Sequence, residues 1–285
     1  MDVTVVVPTV GGPYLTEQLA ALAAQTRPPA QVVVVNNGQP GAADATVAAW
    51  RAELPQLELV EDRRETTPGY ARNVGAERAR HPGILFVDDD DVVDPGYVAA
   101  MGDALDESEL VAARVELERL NPPELTSRWG SMQADGPMTY HDFLPWSISA
   151  ALGVRSDVFR KIGGFDRDYP ICEDTDFSWR AQLDAGARLS FVPDATLSYR
   201  LRTRPGQAFR QARVWASWEV ALHKRYRARG LTASGNQLRA LLRWGRPLLL
   251  LVRARRREDL VVAARQLGSC VGRAEGTVRH RHLHL

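Results

Sequence analysis

The segment ILFVDDDDVVDPG, residues 84–96, runs an apolar stretch straight into four consecutive aspartates. Ile84 to Val87 read as a buried strand, and Asp88, Asp89, Asp90 and Asp91 stand at its carboxyl end. Four adjacent carboxylates repel one another, so the cluster costs stability unless water or a cation relieves it. One reading is a solvated turn before a helix, with aspartate as the turn former. The other is a cation site. The choice depends on the kind of sheet to which the strand belongs.

Upstream, strand and helix patterns alternate. VTVVVP (3–8) is a β-branched run ended by Pro8, and residues 14–25 carry apolar side chains at helical spacing. QVVVVNNG (31–38) is a second strand closed by turn residues, and residues 44–54 suit a helix. LELVED (57–62) is a third strand, GYARNVGAERAR (69–80) a third helix and GILFVDDDD (83–91) a fourth strand. Continuously apolar strands separated by helices predict βαβ units, hence an α/β, Rossmann-like fold with a mostly parallel sheet flanked by helices. Ligands of such sheets bind at the carboxyl ends of the strands. Pro8-Thr9, Asn36-Asn37, Glu61-Asp62 and the aspartate cluster all fall there. At that place hard carboxylate oxygens suit Mg²⁺ or Mn²⁺ carrying a phosphate-bearing substrate, and the cation reading gains over the turn.

Downstream the pattern loosens. LVAARVELERL (110–120) fits a strand or a helix, and residues 121–146 read as a long irregular connection of the functional kind. ALGVRSDVFRKIGGFD (151–166) reads as a helix with a Gly-Gly stop, CEDTDFSWRAQLDAG (172–186) as a helix entered through carboxylates, and ARLSFVPDATLSYR (187–200) as a strand. Long helices are expected over 207–229 and 237–266, the second interrupted near Pro247. The chain shows no internal repeat.

The ordered set VVVPTVGGPYLTEQLAALAAQ, VVVVNNG, GYARNVGAERA, ILFVDDDD, GVRSDVFRKIGGFD and CEDTDFSWRAQLDAG resembles family 2 glycosyltransferases of the GT-A fold over roughly residues 1–230. The resemblance implies a catalytic domain at 1–206, with a donor half to about 105 and an acceptor half from about 106, and a helical basic extension at 207–285. It implies a nucleoside-diphosphate sugar donor of the UDP, dTDP or GDP type and a hydroxyl-bearing acceptor. A divalent cation on the DxD motif would neutralise the leaving diphosphate. The motif maps onto Asp88, Asp89 and Asp90. Asp90, with Asp88, would hold the metal, Asp89 would face the ribose or metal-bound water, and Asp91 would be a bystander with a turn or helix-entry role. Glu173-Asp174 matches the family's ED motif, with Asp174 as general base in an inverting displacement. The alternative for Asp174 is a helix cap. Pro8, Thr9, Asn36 and Asn37 would flank base and ribose. Arg72 would approach the base or diphosphate, or else be a helix-surface arginine.

Three positions depart from the family pattern. Asn36 stands where an acid commonly reads the uracil imide, Gly11-Gly12 where many members carry arginine, and Ser198 where close relatives place a histidine. Two alternatives to transfer remain. ILFVDDDDVV also fits a haloacid-dehalogenase phosphatase, with Asp88 as nucleophile and Asp90 as acid/base, although that motif normally sits on the first strand. A non-catalytic nucleotide-sugar-binding protein is the other, against which the intact Asp174 argues.

The 285 residues, 45% hydrophobic and 25% charged, are those of an ordinary globular protein. No apolar run reaches the roughly 20 residues of a membrane span. MDVTVVVPTV lacks a signal-peptide pattern, and Cys172 and Cys270 suggest neither disulfide nor zinc site, so a cytoplasmic protein is expected. The net charge of +1 hides an asymmetry: residues 1–198 carry −15 and residues 199–285 carry +16. In the tail, RWGRPLLLLVRARRREDLVVAARQ interleaves Leu, Val and Trp with Arg. It reads either as a helix packed on the catalytic domain with a solvated basic face, or as an interfacial helix on anionic lipid at the inner membrane face. Nucleic acid is the weaker partner, since no recognition motif accompanies the charge. The histidines of RHRHLHL are expected to fray and are not taken as ligands.

Overall fold

The computed structural model describes residues 1–140, 142–232 and 237–284; His141, in the long connection, lies outside it. The chain forms two compact units, the first of Met1–Arg119, Met132–Met138 and Leu144–Arg200, the second of Leu120–Ser131, Thr139–Phe143 and Leu201–Leu285.

The first unit begins with β1 (Val3–Thr9), α1 (Leu15–Ala23), β2 (Gln31–Asn36), α2 (Asp44–Trp50), β3 (Leu57–Glu61), α3 (Pro68–Glu77) and β4 (Gly83–Phe86). β5 (Val92–Val93), α4 (Tyr97–Glu107) and β6 (Leu110–Glu116) follow, and after α5 (Pro123–Trp129) of the second unit come β7 (Leu152–Arg155), α6 (Ser156–Lys161), α7 (Glu173–Ala185) and β8 (Leu189–Ser198). The strands form one sheet in the order β3-β2-β1-β4-β7-β6-β8-β5. β1, β2, β3 and β4 pair in parallel, β7 lies antiparallel between β4 and β6, β8 runs parallel to β6, and β5 closes the edge antiparallel to β8. The sheet is mostly parallel, as expected. Val5, Val6, Val7 and Val32 to Val35 are fully buried, which is why these strands are continuous β-branched runs rather than alternating ones.

Several expectations are corrected. Residues 152–155 of ALGVR are strand β7, not helix; four residues buried between β4 and β6 extend to complete the sheet ladder. The ambiguous LVAARVE is a strand, and the long connection contains α5. The Gly-Gly stop is real: Gly163 and Gly164 have φ of 75° and 71°, a region closed to most side chains.

The second unit is α5 with α8 (Pro205–Tyr226), α9 (Gln237–Arg253) and α10 (Arg257–Arg279). α9 passes through Pro247 and stops instead before Arg257. There the Asp259 carboxylate accepts the backbone N–H groups of Arg255 and Arg256 at 3.1 and 3.0 Å and so starts α10. α10 lies very close to α8. A Cβ added at Gly268, Gly272 or Gly276 would come within 2.4, 2.1 and 2.5 Å of the carbonyls of Phe209, Arg213 and Ser217. The C-terminal histidines do not fray. His284 is buried, its Nε2 lies 2.8 Å from the Tyr140 hydroxyl and its ring stacks on His223 at 4.2 Å. His282 Nε2 lies 2.8 Å from His223 Nδ1.

Candidate active site

The aspartates occupy the short loop between β4 and β5, which the pairing of Val92 and Val93 with Ser198 and Leu197 draws towards β8. Thr9, at the end of β1, donates its hydroxyl to Asp89 Oδ2 at 2.5 Å and accepts the Gly11 N–H at 3.0 Å. Pro8 is buried inside β1. Gln18 on α1 donates to the Asp88 carbonyl at 3.4 Å and accepts the Val93 N–H at 3.3 Å.

Arg72 joins two of the sequence motifs. It sits on α3, whose first turn is set by Thr67 accepting the Tyr70 N–H and by Pro68 at the first helical position. Gly75 lets this helix lie against the sheet, since a Cβ there would meet Val6 at 2.3 Å. Only 2% exposed, Arg72 donates from Nη2 to Asp88 Oδ1 at 2.5 Å and from Nη1 to Glu173 Oε1 at 2.9 Å. Burial works against its charge, but Asp88 and Glu173 outweigh it, so the guanidinium stays cationic. Its Nε is buried without a hydrogen-bond partner, and the guanidinium carbon lies 5.9 Å from the centre of the Phe165 ring. The helix-surface reading of Arg72 is excluded.

Asp174 follows Glu173 in the first turn of α7. The N-cap position belongs to Cys172, which makes no side-chain cap bond and holds φ of 62°. Asp174 Oδ1 accepts the Thr175 N–H at 2.7 Å and Oδ2 the Ser149 N–H at 3.4 Å. Burial raises the pKa of Asp174, and burial followed by repulsion from Asp174 pushes Glu173 up to about 7. The helix is held from behind: Arg180 donates to Asp176 at 2.7 Å and to the carbonyls of Ile162 and Gly164. Asn73, beside Arg72, exchanges two 2.8 Å bonds with the backbone of Phe165. Beneath lie Phe86, Phe159, Phe165 and Phe177, the last two stacked at 4.5 Å.

Asn36 and Asn37 form a neighbouring network without a bond to the aspartates. Asn36 is fully buried, donates to Gln39 O at 2.8 Å and Glu61 Oε1 at 2.7 Å, and accepts the Gly38 N–H at 2.9 Å. The exposed carboxylate on this edge is Glu61. Asn37 donates to the carbonyls of Glu65 and Thr67 and so ties down the approach to α3.

Asp88, Asp90 and Asp91 each bring a ligand oxygen within 4.8 Å of the others. Three hard oxygens in that space could hold a divalent cation. Asp91 belongs to this group of three; it is buried and accepts the Arg200 N–H at 2.8 Å. Ser198, one strand over, has a buried hydroxyl without a hydrogen-bond partner. Sequence reasoning missed Arg200. It donates from Nε to the Asp90 carbonyl at 2.8 Å and from Nη2 to Glu17 at 2.7 Å, and lies 3.9 Å from the Tyr14 ring. It was hidden among the many tail arginines; its place directly after β8 was the one available signal.

The family model described as Glycosyl transferase family 2 matches residues 4–159, more than half of the chain. Pre-mycofactocin glycosyltransferases of two Mycobacterium tuberculosis strains, CDC 1551 / Oshkosh and ATCC 25618 / H37Rv, are 38% identical over 72 residues. That stretch is 25% of this chain and 15% of theirs. A crystal structure of S. aureus TarS is similar over 97% of this chain and 55% of its own length, with TM-score 0.56 and 19% identity. TarS 1-349 in complex with UDP is similar over 100% of this chain and 93% of its own, with TM-score 0.55 and 19% identity. The corresponding UDP-GlcNAc complex has TM-score 0.53 at 19% identity over the same shares. At that identity the likeness speaks to the fold.

Proposed function

The chain belongs to glycosyl transferase family 2, and we propose on that basis that it moves a sugar from a nucleoside-diphosphate donor to an acceptor hydroxyl, inverting the anomeric centre. The observation that carries this reading is the buried Arg72, bonded at once to Asp88 of the DxD motif and Glu173 of the ED motif. Arg72 thus ties the donor-binding motif to the carboxylate directly beside the proposed base Asp174.

Asp88 and Asp90, with Asp91, would hold Mg²⁺ or Mn²⁺, which when bound neutralises charge on the departing diphosphate. Thr9 holds Asp89 towards the nucleoside, and Asn37 with the Glu61 carboxylate, anchored by Asn36, lines the base edge. The acid missing at position 36 is thereby supplied from the adjacent strand. Asp174 takes the acceptor proton: burial raises its proton affinity, and the Ser149 and Thr175 amides fix its oxygens. Glu173, paired with Arg72, remains beside it as a positioning group. The TarS complexes with UDP and UDP-GlcNAc support a uridine diphosphate sugar as the first donor to try.

The test is incubation with UDP-, dTDP- and GDP-sugars and Mn²⁺. Release of nucleoside diphosphate, lost with a chelator and in Asp174→Asn, is expected. Phosphomonoester hydrolysis with every sugar nucleotide left intact would restore the phosphatase reading and overturn this one.

A further inference from the structure

Exposed apolar surface is concentrated on α9. Trp244, Leu248, Leu249, Leu251 and Val252 are all exposed, Leu248 at 56% and Val252 at 85%. At about 100° per residue, Leu251, Trp244, Leu248 and Val252 fall on one continuous arc. Pro247 is buried and Leu250 half-buried on a separate arc, so the helix packs by one side and presents the other to solvent. Arg246 and Arg253 share a third arc, where they and Arg128 line a cavity of about 270 Å³. Arg255, Arg256 and Arg257 follow directly and are exposed.

This combination selects its partner. Residues 199–285 hold 20 Lys+Arg and 4 Asp+Glu, and three of those acids are already matched, Glu219 by Arg273, Asp259 by Arg128 and Glu275 by Arg213. Nucleic acid would meet the arginines but offer nothing to the Leu-Val-Trp arc. A second copy would meet the apolar arc but offer no counter-charge to the exposed Arg255, Arg256 and Arg257. The surface of an anionic bilayer answers both, with acyl chains at the headgroup boundary and phosphates beside them. The helix cannot cross: none in the described residues is long and apolar enough to span a membrane.

We propose that α9 is a membrane-docking helix that lies in the plane of an anionic phospholipid surface. Trp244, Leu248, Leu251 and Val252 enter the acyl boundary, and the exposed Arg255, Arg256 and Arg257 hold lipid phosphates. This inference does not rest on the catalytic reading.

Flotation of the full chain with vesicles tests it. The chain should float with phosphatidylcholine vesicles containing a third phosphatidylglycerol and stay behind with pure phosphatidylcholine. Leu248→Ser with Val252→Ser should lower the bound fraction at least tenfold with an unchanged melting curve, because both side chains are already in water. Arg255→Gln, Arg256→Gln and Arg257→Gln together should do the same and remove the salt dependence. Flotation of the double variant equal to the parent would overturn the proposal. So would a parent dimer in light scattering that the double variant loses, which would make the face a contact between copies.

Discussion

At the scale of single residues, carboxylates decide the chemistry of the site. Asp174→Asn keeps the size and an acceptor for the close Thr175 N–H, gives up only the long 3.4 Å contact to the Ser149 N–H, and removes the basic oxygen. Turnover at saturating substrates is expected to fall by roughly 10²–10⁴-fold while the melting temperature stays put; near-normal turnover would refute the assignment. Because burial raises the pKa of Asp174 above its ordinary 3.8, the acid limb of kcat/KM should lie above the usual aspartate range. Glu173 makes a separate prediction about stability. A carboxyl with a raised folded pKa stabilises the fold while protonated; the contribution is complete below about 4.5 and lost as pH rises through about 7. The melting temperature of the parent should therefore fall relative to Glu173→Gln across that window, and parallel curves would show that Glu173 is not perturbed. For the metal, Asp90→Ala should abolish Mn²⁺-dependent binding of nucleoside diphosphate. Asp91→Ala should weaken it and also cost stability, since its buried carboxylate holds the Arg200 amide; calorimetric titration with a parallel melt separates the two effects.

At the scale of elements, the sequence made the helices and parallel strands of the first hundred residues legible because their periodicity is local and their turns are marked. It failed at β7, where LGVR lies beside a helix-forming SDVFRK and only the empty place between β4 and β6 makes it a strand. It also missed the GSCVGRAEG spacing of α10. Replacing glycine by alanine inside a helix ordinarily stabilises by about 1 kcal/mol. Gly272→Ala should do the opposite, because its Cβ would sit 2.1 Å from the Arg213 carbonyl. Forcing α8 and α10 apart is expected to cost about 1–3 kcal/mol, read as a lower melting temperature; an increase would show that the contact yields.

At the scale of the whole molecule, donor binding should be visible as stability. A nucleoside diphosphate with Mn²⁺ at 100 times its Kd should add about 2.7 kcal/mol, and the Asp90→Ala protein should show no such gain. A panel of UDP, dTDP and GDP also ranks the bases; a ranking indifferent to Glu61→Gln would show that this edge does not read them. The sequence alone established an α/β fold, the collection of Thr9, Asn36 and the aspartates at strand carboxyl ends, and the charge asymmetry of the tail. All three follow from local patterns, namely β-branched runs, turn residues and composition. The tertiary structure alone decided that Arg72 is bonded to Glu173, 101 residues away, that Asn73 clamps Phe165 across 92 residues, and that Arg200 holds Asp91 across 109. Such contacts leave no periodic trace, because they depend on which strand ends the sheet order brings side by side.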